Sequence, residues 1–219
     1  MHRFPILALV CSLLGSGVAA AQVCSGDMSF AGGPVHLGFG IALNSNAEAY
    51  HSGFALGNAN VFGSAEVGLS TYNAGGNAWD FGAGFGMQTT RRHDSKLQVC
   101  PEVFLGATSG PKDINGSGIN YSARHFSFGA DAGYVAVDHK DIQFLPTASL
   151  LVVVSRSTLS GPSSASNTDY ETFGLIVFGA SLGFDHQVAL HPVVAFPVGL
   201  KGATTSYGVS FSINLSGKP

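Results

Sequence analysis

Apolar and polar residues alternate along much of the chain with a period of two. In the clearest stretch, 205–215, every second residue from Thr205 onward is Thr, Tyr, Val, Phe, Ile or Leu, and the residues between them are Ser, Gly or Asn. Similar stretches begin near Val35, Trp79, Phe126 and Ile176. Because successive side chains of a β-strand point to opposite faces, each stretch predicts a strand with one apolar face and one face of polar residues and glycine.

The alternation and the turn residues between the stretches predict ten strands. They cover 34–44, 48–57, 60–72, 78–90, 95–108, 121–138, 142–157, 170–185, 187–199 and 204–215. The pattern is weakest in 48–57, and eight strands remain if 34–57 lies outside the sheet. A strand of about 9 to 11 residues can cross a membrane, and an even number of strands returns the chain to its starting side. The sequence therefore predicts an all-β fold, a closed antiparallel up-and-down transmembrane β-barrel, with ten strands preferred and eight as the alternative.

The connections between the predicted strands alternate in length. Long segments rich in Gly, Pro, Ser and Asn at 109–120 and 158–169 interleave with short turns at 138–141 and 185–187. Outer-membrane barrels have short periplasmic turns and longer external loops. We therefore expect 109–120 and 158–169 to form external loops.

Composition narrows the class of protein. Among 219 residues, 45% are hydrophobic, 11% are charged, and 30 are Gly. No apolar run beyond the N-terminus approaches the roughly 20 residues of a membrane helix, and the hydrophobic content excludes a disordered chain. The net charge of −3 gives no basic surface for nucleic acid. Many of the predicted inward positions are glycines, among them Gly38, Gly82, Gly129 and Gly183. The sequence leaves open whether water or large neighbouring side chains fill the space beside them.

The chain divides into one domain and three short segments. The segments and the barrel are a secretory signal peptide at 1–21, an N-terminal segment at 22–33, the barrel at 34–215 and a tail at 216–219. The signal peptide is predicted from an apolar stretch that ends in three alanines.

Cysteine and histidine give one structural hypothesis and no metal site. Cys24 and Cys100 could form a disulfide that holds the N-terminal segment in the lower lumen, or both could be free. His93, His139 and His186 fall in three different predicted turns, where we interpret them as solvated residues. We expect neither a metal nor another cofactor.

The alternation also assigns charged and polar residues to the lumen. The inward set is His36, Glu66, Asp80, Lys96, Glu102, His125, Asp131, Glu171 and Asp185. Because an unpaired charge away from water is costly, we expect Lys96, Arg124 or internal water to accompany the carboxylates. The interpretation is a solvated or salt-bridged interior without catalytic residues.

The signal peptide, the glycine-rich repeats of period two and the aromatic-bearing last strand resemble the small outer-membrane β-barrel family of Gram-negative bacteria, the OmpA-like and OmpX-like barrels. The resemblance implies location in the cell outer membrane, contact with outer-membrane lipid, and help from the outer-membrane assembly machinery during biogenesis. It carries no site motif. We expect a monomeric, non-enzymatic barrel with an envelope structural or narrow-pore role.

Two other functions remain open. The string His125-Phe126-Ser127 is similar to one in the lipid A deacylase barrels, which implies an ester hydrolase with His125 as base and Ser127 as nucleophile. Phe128 departs from that motif, which usually continues with Asn. The other alternative, a secreted soluble β-sandwich binding module, would need polar outward faces, whereas the outward positions here include Phe178 and Phe184.

Overall fold

The structure, a computed structural model, describes residues 35–57, 61–73, 75–89, 96–112, 118–139, 141–161, 166–185 and 187–215. The strands are β1 (Val35–Leu43), β2 (Ala47–Gly57), β3 (Val61–Tyr72), β4 (Asn77–Met87), β5 (Leu97–Ser109), β6 (Asn120–Tyr134), β7 (Val137–Asp138), β8 (Ile142–Ser160), β9 (Ser166–Phe184), β10 (Val188–Val198) and β11 (Ser206–Asn214). The described residues contain no helix that is long and apolar enough to cross a membrane. The predicted signal peptide, N-terminal segment and C-terminal tail lie outside the described residues.

Ten of the strands form a closed barrel. Each pairs antiparallel with its neighbours around the ring, and β1 pairs with β11 to close it. The two-residue strand β7 pairs only with the start of β8, so that β6 and β8 are direct neighbours in the wall. The predicted ten-stranded barrel is confirmed. The eight-strand alternative is wrong because β2 pairs along its whole length with β1 and β3, and the β-sandwich is wrong because one ring replaces two stacked sheets.

The two ends of the barrel differ. We call the end that contains Val35 and Asn214 the terminal rim, and the opposite end the extended rim. At the extended rim β8 and β9 continue as one hairpin to the pair Ser160 and Ser166, although β10 accompanies β9 only as far as Gly174. The hairpin therefore projects beyond β10 by roughly 25 Å along the strand, at about 3.3 Å per residue.

This hairpin corrects one predicted loop. The segment 158–169 is mostly strand, and the connection shrinks to 161–165, whereas the other predicted loop spans 110–119 between β5 and β6. Thr158 pairs with Thr168, and their hydroxyl oxygens lie 3.3 Å apart. Cross-strand pairing of this kind stabilises a polar ribbon whose composition alone is typical of a loop.

The chain breaks between β6 and β7, where the sequence predicts one continuous strand over 121–138. The N–H of Val135 donates to the carbonyl of Lys96, and the N–H of Ala136 donates to the carbonyl of Phe144. These bonds replace regular ladder pairing and turn the chain at the terminal rim.

The two faces of the wall follow the predicted alternation. Outward positions are apolar from Trp79 to Met87 and from Tyr207 to Leu215, and large apolar side chains there are exposed. About nine residues at about 3.3 Å each, tilted by about 40°, cover about 23 Å, which is close to the height of about 25 Å of the apolar band of a transmembrane barrel. The outer surface is therefore built to face lipid.

Candidate functional site in the barrel lumen

The structure places seven of the nine predicted lumen residues at inward positions. The buried ones are His36, Glu102, His125 and Asp131. The half-buried ones are Glu66, Asp80 and Glu171. They lie on different strands and do not form one cluster.

Lys96 and Asp185 lie elsewhere. Lys96 is exposed in a bend before β5. Asp185 is exposed in the turn after β9, and its φ of 50° is the only positive φ among the described non-glycine residues. The expectation that they line the lumen is wrong because alternation assigns a face only within a strand, and the strands end at Leu97 and Phe184.

The charge of the lumen is acidic. Arg124 is exposed on the outer face with Phe126 and Phe128, so it is not the lumen partner that the sequence suggests. Among the residues that the structure describes, no Lys or Arg points into the lumen. Asp80 instead accepts hydrogen bonds from the hydroxyls of Ser70 at 2.6 Å and Thr108 at 2.7 Å.

A second pair of carboxylates lies deeper. Glu102 on β5 and Asp131 on β6 are 6% and 0% exposed. They are diagonal neighbours across the two strands, close enough for their charges to interact. Two buried carboxylates of like charge lower the stability of the fold, and a polar lumen can be built without such a pair.

Inward glycines make space for large side chains from neighbouring strands. A Cβ atom on Gly82 would lie 2.1 Å from Cζ of Phe104, and one on Gly106 would lie 2.1 Å from Nε2 of His125. Gly40 faces the ring of His51 in the same way. Neighbouring rings therefore fill the space in front of these glycines, so these glycines do not line a water column.

Apolar side chains fill the extended half of the lumen. The members of this lumen cluster are Ala42, Ala49, Tyr121, Ala123, Leu151, Val153, Phe173, Leu175, Val177 and Ala195. They come from six of the ten barrel strands, and Leu200 and Ala203 of the β10–β11 connection pack against them. Tyr121 and Phe173 are 3% exposed and Leu151 is 4% exposed, although all three point into the lumen. In the part of the chain that the structure describes, these inward side chains are therefore almost entirely out of contact with water.

The cavity described near the terminal rim is small. A cavity of about 30 Å³ lies beside His36, His51 and Gly38. That volume holds about two water molecules.

His125 and Ser127 are both buried and share the inward face of β6. The ring of His125 stacks on Phe104 with centroids 5.9 Å apart, and neither ring nitrogen has a hydrogen-bond partner. The structure therefore brings His125 onto an aromatic ring and does not join it to Ser127 or to a carboxylate.

The other candidate residues are only partly described. Cys100 is buried and disulfide-bonded, while its predicted partner Cys24 lies outside the described residues. His139 is exposed, 3.9 Å from Asp141, and His93 and His186 lie outside the described residues. Within the described ranges, no group of three or more metal-ligating side chains is positioned to hold an ion.

Sequence reasoning missed the lumen cluster. The run Leu150–Val154 is apolar at every position, so period-two alternation cannot say which residues point inward. A continuous apolar run indicates a strand that is covered on both faces. This run was therefore the feature of the sequence from which the lumen cluster could have been predicted.

Comparison with solved structures identifies the fold. The translocator domain of the autotransporter NalP from Neisseria meningitidis matches with a TM-score of 0.51 and 10% identity, covering 97% of this chain and 99% of that one. The fold is that of an outer-membrane β-barrel. The structures of Ail from Yersinia pestis (7% identity, 82% of this chain and 93% of that one) and the N-terminal barrel of Pseudomonas aeruginosa OprF (10%, 82% and 95%) give TM-scores of 0.42 and 0.35.

No protein-family model matches the chain, and no curated protein matches it. Location in the outer membrane follows from the fold together with its apolar outer band, because closed barrels with such a band are proteins of the outer membrane. Because outer-membrane barrels carry their longer connections on the external side, we expect the extended rim to be the external end and the terminal rim to be the periplasmic end.

Proposed function

We propose that this outer-membrane barrel is a closed, non-conducting envelope protein that displays the β8–β9 hairpin outside the cell. The observation that carries the proposal is the burial of large inward side chains. Phe173 and Leu151 project into the lumen, yet they are 3% and 4% exposed. In a water-filled pore these side chains would be wet.

The hairpin supplies the displayed surface. Beyond the end of β10, both strands of the hairpin carry polar side chains, and Tyr170 is 69% exposed. Because this ribbon extends past its neighbour on one side, it offers backbone and side-chain groups to a partner outside the membrane. Such a role agrees with an envelope structural function and disfavours the narrow pore.

The test is ionic current through planar lipid bilayers. We expect the wild-type barrel to give no stable conductance steps. The double variant Leu151→Gly with Phe173→Gly removes two large lumen side chains and should produce steps. The matched control, Leu150→Gly with Phe178→Gly, removes residues of the same types from the outer face of the same two strands and should stay silent. Stable steps from the wild type would contradict the proposal.

The proposal includes no catalysis. The unpartnered ring nitrogens of His125 support this, since a histidine base must contact its nucleophile. Incubation of the barrel with outer-membrane lipids should release no fatty acid above the level of a Ser127→Ala variant. Release that depends on Ser127 would favour the hydrolase instead.

We further infer a monomer that contacts lipid around its circumference and is inserted by the outer-membrane assembly machinery. Exposed apolar side chains occur on widely separated strands, for example Phe39 on β1, Phe81 on β4, Phe128 on β6 and Phe178 on β9. A lipid-facing surface of this extent supports a monomer. Analytical ultracentrifugation in density-matched detergent tests the oligomeric state.

A further inference from the structure

Two arginines lie side by side on the outer wall near the external rim. Arg124 on β6 and Arg156 on β8 are direct cross-strand partners, and both are exposed. Side chains at such positions have Cβ atoms about 5 Å apart, and like charges placed directly opposite each other lower stability. An anion between them would remove this repulsion.

The pair lies at the upper boundary of the apolar band. On β6 the outward residues below Arg124 are Phe126 and Phe128, and on β8 those below Arg156 are Val154 and Val152. The next outward residues above the arginines are Ser122 and Thr158, which also pair with each other. The guanidinium groups therefore lie where apolar surface gives way to polar surface, the depth of the lipid headgroups.

No acidic side chain neutralises the pair in the described part of the chain. No ion pair joins Arg124 or Arg156 to a carboxylate there, and Glu171 on the next strand belongs to the inward series. Arg156 lies over the ring of Tyr170, 5.7 Å from its centroid, a cation–π contact that holds the guanidinium against the wall.

The outer wall beside Arg124, on the side away from Arg156, is low. Ala107, the cross-strand partner of Arg124 on β5, supplies only a methyl group at the outer wall. An open groove of about 340 Å³ lies beside Ala107, Arg124, Arg156, Ser122 and Thr158. Two guanidinium groups and two hydroxyls therefore border a space large enough for a phosphate group.

We propose that Arg124 and Arg156 bind a phosphate group of an anionic lipid in the outer leaflet. Each guanidinium can donate two parallel hydrogen bonds to phosphate oxygens, and Ser122 and Thr158 can donate further bonds. The neighbouring phenylalanines and valines contact the acyl chains of the same lipid. This site does not depend on whether the lumen conducts.

The test measures retention of lipid A by the full-length barrel in neutral detergent, using native mass spectrometry. Phosphorylated lipid A should bind the wild type, and the double variant Arg124→Gln with Arg156→Gln should bind it at least about tenfold more weakly, since charge-assisted hydrogen bonds are lost. Lipid A stripped of phosphate should bind both proteins equally weakly. The control Lys201→Gln, an exposed cation in the β10–β11 connection, should bind like the wild type.

Equal affinity of the wild type and the double variant for phosphorylated lipid A would overturn the proposal. So would binding of phosphate-free lipid A to the wild type as tightly as phosphorylated lipid A. Inorganic phosphate at the same concentration should not displace the lipid, and displacement would assign the site to free phosphate. A folding readout separates binding from damage. In neutral detergent without lipid A, Arg156→Gln should melt at the same or a higher temperature than the wild type because like-charge repulsion is relieved, and with lipid A the order should reverse.

Discussion

The packing of rings over inward glycines predicts that two chemically identical substitutions will have opposite effects. Gly82 and Gly38 are both inward residues in strands. A Cβ on Gly82 would lie 2.1 Å from Cζ of Phe104 and 2.8 Å from Oε1 of Glu66, whereas a Cβ on Gly38 would meet nothing within 4 Å. Phe104 is 4% exposed and stacks on His125, so it has little room to move away.

Gly82→Ala should therefore lower the free energy of unfolding by about 1 to 3 kcal/mol, the usual cost of overpacking. Gly38→Ala should leave it unchanged or raise it by up to about 1 kcal/mol, because alanine restricts the unfolded chain. Urea titration in lipid vesicles measures both changes, and fluorescence of Trp79, the single tryptophan, reports the transition. Exchange of Phe104 for leucine should make the cost of Gly82→Ala smaller by about 0.5 to 3 kcal/mol, the usual coupling between contacting residues.

Equal stability of the two alanine variants would refute the reasoning. It would mean that Phe104 does not occupy the space in front of Gly82 and that the lumen is looser than the structure indicates. Loss of stability in Gly38→Ala alone would contradict it in the same way.

Three further outcomes are expected. Glu102→Gln should raise the free energy of unfolding by about 1 kcal/mol because it removes the repulsion by buried Asp131; a loss in the same urea assay would show that the carboxylate has a stabilising partner. Phe128→Arg should lower that free energy by about 2 to 4 kcal/mol, as an arginine facing the bilayer interior does, and an unchanged midpoint would contradict the outward placement of this face. Peptide mapping without reductant should find Cys24 linked to Cys100, whereas two free thiols would disprove the bridge.

Most strands of the barrel could be predicted from sequence because the different environments of lipid and lumen impose period-two alternation on them. Even β2, with its loose pattern, is a strand because β1 and β3 supply partners along its whole length. The β8–β9 hairpin could not be predicted in full. Its upper residues have the composition of a loop, and only the pairing of Thr158 with Thr168 and of Ser160 with Ser166 makes them strands.

The lumen could be predicted less well than the wall. Alternation places Glu102 and Asp131 inside, but it cannot show that Arg124 faces away from them until the strand register is known. The same limit applies to glycine: whether Gly82 lines water or a ring depends on which residue of β5 lies opposite, and the register sets Phe104 beside it. Local patterns decide the face of a residue, and the pairing of distant strands decides its neighbours.

The central claim is that the barrel's own side chains fill its lumen and leave no water path. Reaction of single cysteines with a small cationic thiosulfonate reagent tests this most directly, because it distinguishes a filled lumen from an open one closed only by loops. Ser155→Cys lies in the lumen, where Ser155 is 2% exposed, and Ser160→Cys lies on the exposed hairpin of the same strand. The account predicts rapid labelling at 160 and none at 155 in the folded barrel. Labelling at 155 as fast as at 160 would contradict it.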